Sequence, residues 1–149
     1  MRHAHKIGAV FYILWGLIHV LGGAIMFQRI SADGAMGGAA VMAPVVPIAE
    51  QAPIPMGLAD GVFLYHAWNI LWFGLFAIVV AVLLNWKNSR LGYWANFAVL
   101  GAAEIGLIAA MIWPGHMKAG PDTLSGLVLW ALGVLFTTMG YLKVGRAAI

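Results

Sequence analysis

The chain has 149 residues, 63% of them hydrophobic and only 9% charged, with a net charge of +3. A water-soluble domain carries roughly 25% charged residues, so the five acidic and eight basic side chains present here cannot cover a fold of this size, and the surplus apolar surface belongs in lipid. The absence of cysteine excludes disulfides, thiolate metal sites and dithiol redox chemistry, and so small a spread-out charge argues against nucleic acid binding.

A spanning helix needs about 20 largely apolar residues, and four segments qualify within a single compact domain. The first covers residues 7–27 (IGAVFYILWGLIHVLGGAIMF), with His19 as its single ionisable residue. MRHAHK ahead of an apolar run also has the outline of a signal peptide, but the run exceeds the ~7–15 residues of a signal core, so a retained helix is expected. Residues 28–60 form the one long connection, rich in Ala, Gly and Pro. Four prolines from Pro44 to Pro55 exclude a regular helix across that stretch. Its VMAPVVPIA segment is apolar enough to lie on the bilayer or cap the bundle, and loops of this length often act as lids or docking straps. The plainer reading is a flexible connector.

The second helix is expected over 61–86, the third over 91–113 and the fourth over 123–142, with Pro114-Gly115 ending the third. The apolar runs are continuous, which excludes the alternating ten-residue pattern of a membrane barrel. The expected fold is an all-α integral membrane protein, an antiparallel four-helix bundle with one long outer loop between its first two helices.

Orientation follows from the basic residues. Arg2 and Lys6, Lys87 and Arg90, and Lys143 and Arg146 fall in three segments on one side and hold six of the eight basic residues. The other side holds Arg29 and Lys118 with Asp33, Glu50, Asp60 and Asp122. Both termini are therefore expected in the cytoplasm and the chain in the cell membrane, the inner membrane if the source is bacterial. Trp86, Tyr93, Trp94 and Trp113 suit interfacial aromatic belts.

Ionisable residues inside a span are costly and usually face the bundle interior. Here they are His19, His66 and Glu104, joined by Asn69 and Asn96. At a rise of about 1.5 Å per residue, His19 lies roughly 18 Å above the cytoplasmic ends, Glu104 roughly 20 Å, Asn69 roughly 25 Å and His66 roughly 30 Å. All four fall in the outer half. Tyr12, Trp15 and His19 form one stripe, Phe76, Phe73, Asn69 and His66 a second, and Phe97, Gly101, Glu104 and Ile108 a third. Small residues around Glu104 permit close helix approach.

Glu104 should hold its proton or pair with a protonated histidine. A His/Glu pair can move protons or act as general acid and base. Trp15 and Trp130, with Trp68 and Trp72, suit the walls of a pocket for a quinone, sterol or isoprenoid. Bis-histidine haem ligation is disfavoured by the roughly 12 Å difference in depth between His19 and His66, and no metal site is expected. Each residue also has a plainer role. His19 and Asn69 suit interhelical hydrogen bonds, His66 suits the headgroup region, and the tryptophans suit packing or belts.

No nucleotide-binding loop, zinc-protease or serine-nucleophile motif occurs, and no inverted repeat supports a transporter. The plan of four short helices with His, Asn, Glu and Trp inside is similar to that of membrane-embedded sterol isomerases and of small DoxX-like proteins, a likeness of plan that includes no shared motif. Two functions are expected. One is a non-catalytic accessory or assembly subunit, whose partner is another membrane protein or a second copy. The other is a lipophilic-ligand binding protein, or an enzyme, built on His19, Glu104, His66, Asn69, Trp15 and Trp130.

Overall fold

The computed structural model of the protein describes residues 3–42 and 57–147, with side chains described as far as Lys143. Residues 43–56, which carry the four loop prolines and Glu50, lie outside the described residues. The described residues form four helices and no strand: α1 (Ala4–Met42), α2 (Leu58–Leu83), α3 (Arg90–Leu107) and α4 (Pro121–Ala147). A 3-10 turn, Asn85–Lys87, follows α2, and a π turn, Ile108–Ile112, prolongs α3. All four helices, α3 with its π turn, are long and apolar enough to cross a membrane. Leu14, Leu17 and Leu21 on α1 and Trp68, Trp72, Leu75 and Val79 on α2 are exposed, an apolar mantle of the kind that water does not tolerate and lipid does.

The packing centres on α1, which lies chiefly against α2 and then α4, while α3 rests on α4 and α2. Glycine sets the α1–α2 approach. A Cβ at Gly16 would stand 2.6 Å from the Gly74 carbonyl oxygen, and one at Gly74 would stand 2.6 Å from the Gly16 carbonyl oxygen. The two backbones touch, as small residues permit between membrane helices, where dispersion replaces the hydrophobic drive. Tyr12 and Trp15 are fully buried beside this crossing with Ala9, Ala77, Ala81 and Leu100. Short polar links close the other end of the molecule. Asn96 donates to Asn85 Oδ1 at 2.8 Å, and Asn88, in the left-handed region at φ 56°, donates to the Gly140 carbonyl at 3.1 Å. Asn96 therefore ties α3 to the turn after α2.

The first helix differs from the sequence expectation. Helical structure does not stop near Phe27 but continues to Met42, broken at Gly34 (φ 62°, ψ −151°), so residues 28–42 of the expected loop are helical. Beyond Gly34 the chain doubles back. Gly37 comes against the carbonyl of Arg29, a residue that an unbroken helix would place about 12 Å away. Val41 and Met42 then pack on a cluster of Met26, Ile30 and Ala67, and Gly38 fits against the Phe63 ring. Asp60 fastens the fold. Its Oδ1 accepts from the Ala35 N–H at 2.6 Å and its Oδ2 from the Gly57 N–H at 3.1 Å. The composition around residues 35–42 reads as loop because it is rich in Gly, yet its alanines favour helix and Gly34 supplies the one reversal the fold requires.

Candidate functional site

A cavity of about 870 Å³ lies between the helices, and its wall takes in Trp15, His19, His66, Asn69 and Glu104. Five of the six residues singled out from the sequence thus share one space, although they come from α1, α2 and α3. The stripe spacing on each helix aims them inward. The apolar part of the wall comes from α1, α2, and α3 with its π turn, and includes Met42 and Val41 from the doubled-back end of α1.

Glu104 is 2% exposed. Its Oε1 accepts a hydrogen bond from the Trp15 indole N–H at 2.6 Å, and its Oε2 has no partner among the described residues. The carboxyl group is therefore held by a tryptophan, where a protonated histidine was one of the two expectations. Trp15 in turn carries His19. The two rings stack with centroids 3.6 Å apart and planes 19° from parallel, and His19 Nδ1 lies 2.8 Å from the Trp15 carbonyl oxygen. A carbonyl oxygen only accepts, so Nδ1 carries a hydrogen and donates. In the neutral ring this leaves Nε2 a bare acceptor. Gly126 on α4 faces both groups. A Cβ there would stand 3.0 Å from Glu104 Oε1, 3.1 Å from His19 Cε1 and 3.6 Å from His19 Nε2. Glycine at this position lets α4 approach both polar groups closely.

The sixth residue, Trp130, sits elsewhere. Its ring packs on Gly101, about one turn along α3 from Glu104, with its edge 3.0 Å from where a Cβ would be. It lies 6.4 Å from the Phe97 ring, and its indole N–H is buried without a partner among the described residues. It is not part of the cavity wall. Sequence reasoning passed over Asp122, Thr123 and Gly126, which bring the start of α4 into the wall. Thr123 and Ser125 read as helix-start residues, and Ser125 and Thr123 do bond backbone carbonyls, at Asp122 and Lys118. The usable signal was their register: Asp122 and Gly126 are one turn apart and share a face.

The π turn begins four residues after Glu104 and contributes Ala110 and Met111 to the wall. Such turns widen a helix locally and recur at functional sites. Among the described residues, no three His, Cys, Asp or Glu side chains converge as a metal site. Compared with protein-family models, curated proteins and solved structures, the chain matches none.

Proposed function

We propose that this protein is a multi-pass membrane protein that binds a lipophilic small molecule in the cavity between its helices. The observation that carries the reading is Glu104, a buried carboxyl group among the wall residues of a largely apolar cavity of about 870 Å³. That volume lies within the roughly 300–1,000 Å³ of small-molecule sites, which are apolar with a few convergent polar groups. A buried carboxyl group is costly unless its hydrogen bonds are met, and a bound head group would add to the single bond from Trp15. His66, Asn69 and Asp122 stand on the same wall and orient the occupant further.

The helices run antiparallel, with both termini on the cytoplasmic side, as the basic residues of the three cytoplasmic segments dictate. The cavity then lies in the outer half of the membrane, and Val41 and Met42 of the doubled-back segment form part of its wall. Native mass spectrometry from mild detergent tests the reading. A stoichiometric small-molecule adduct is expected on the wild type and lost in Gly126→Leu, whose side chain would crowd Glu104 and His19. A bare wild-type mass, or one found only with another protein, would favour an assembly subunit instead.

A further inference from the structure

The hydrogen-bonding pattern around Glu104 and His19 narrows the chemistry of the occupant. One acceptor of the pair is fixed by geometry: His19 Nδ1 is committed to the Trp15 carbonyl, so the neutral ring offers Nε2 to the cavity as an acceptor. Glu104 Oε1 accepts from the Trp15 N–H, which leaves its second lone pair, and Oε2 has no partner among the described residues. Among the described residues on the wall there are two carboxyl groups, Glu104 and Asp122, and neither Lys nor Arg.

A carboxylate or phosphate head would meet like charge and no cation. A carbonyl or ether oxygen only accepts, which leaves His19 Nε2 bare and suits Glu104 only when it is protonated. An ammonium only donates, which suits Glu104 only when it is ionised. A hydroxyl both donates and accepts. It donates to ionised Glu104, or accepts from protonated Glu104 while donating to His19 Nε2. With His19 protonated, it accepts from that ring and donates to the carboxylate. Of these heads a hydroxyl alone pairs with Glu104 whether the carboxyl group is ionised or protonated. We infer that the occupant is a lipophilic alcohol, its hydroxyl turned to the part of the cavity wall that holds Glu104 and His19 and its hydrocarbon along the apolar wall; this rests on the ligand-binding reading above.

The test is competition in one native mass spectrum. The detergent-solubilised protein is offered equal concentrations of geranylgeraniol, its methyl ether, geranylgeranylamine and geranylgeranoic acid, which share one hydrocarbon and differ in the head. The alcohol is expected to exceed each of the others by at least about tenfold, the size of effect that stranding a buried polar partner produces. Glu104→Leu should level the alcohol with the ether, while Glu104→Gln, which keeps a donor and an acceptor, should retain most of the preference. Ether, amine or acid binding as well as the alcohol overturns the hydroxyl assignment while leaving the cavity a ligand site. Binding of none of the four overturns the ligand-binding reading and the assignment with it. The wild-type comparison decides the matter even where Glu104→Leu fails to fold.

Discussion

Trp15 and Glu104 should be energetically coupled, because each leaves the other a stranded buried group. Trp15 is 1% exposed and Glu104 2%, and their bond of 2.6 Å joins α1 to α3. Interhelical hydrogen bonds in membranes average about 0.6 kcal/mol and reach about 1.7 kcal/mol. A short bond to a carboxyl group whose other oxygen has no partner belongs at the upper end, about 1–2 kcal/mol. Trp15→Phe removes that bond and roughly 40 Å³ of ring, worth about 1 kcal/mol at about 24 cal/mol per Å³. The single variant should therefore lose about 2–3 kcal/mol. In Trp15→Phe, the further change Glu104→Leu should cost less than it does in the wild type, because no indole N–H is left unpaired. Reversible unfolding by SDS titration in mixed micelles measures all four corners of the cycle. A coupling near 1–2 kcal/mol is expected; additivity within about 0.5 kcal/mol would show that the bond does not hold α3 to α1.

Gly16→Val should abolish folded yield, since its Cβ would meet the Gly74 carbonyl oxygen at 2.6 Å; size-exclusion chromatography reports this. Gly61→Ala is the matched control. It has open space at its Cβ and should gain about 0.5–1 kcal/mol in helix α2. Gly34→Ala places a side chain in a backbone region that only glycine occupies readily, at about 1–3 kcal/mol. The segment beyond it should lift, and a single cysteine at Met42, clean because the chain has no other, should then react faster with a maleimide. Unchanged labelling would mean that Gly34 does not hold the reversal. For topology, Ser89→Cys should label only from the cytoplasmic side and Lys118→Cys only from the outside, and the opposite pattern would invert the bundle.

The four helices were legible because apolar runs long enough to span a membrane have few other uses, and the inward stripes were legible because helical spacing is rigid. Glu104 announced itself as a carboxyl group in the middle of an apolar run. The hydrogen bond from Trp15 was not legible, since it depends on how α1 and α3 are placed, which no local pattern encodes. The end of α1 was hidden for a different reason. Ala- and Gly-rich residues 35–42 have composition for a loop and packing partners for a helix, and only Phe63, Met26 and Ala67 beneath them decide the matter. Trp130 shows the reverse failure. It lies on the right helix, one turn from Gly126, yet its ring turns onto Gly101 because that glycine leaves room there. Asp122 was passed over because its position at a helix start has its own electrostatic reason.

The central claim is that the cavity whose wall includes Glu104, His19 and Gly126 is occupied by a lipophilic molecule. Photolabelling of the membrane-embedded protein with a diazirine-bearing C20 alcohol, followed by peptide mapping, tests it most directly. The account predicts label on the cavity wall, at Ile25, Met111 and Met117, competed away by unlabelled alcohol. Label confined to outward-facing residues such as Val79 and Leu135, and insensitive to competition, would contradict it.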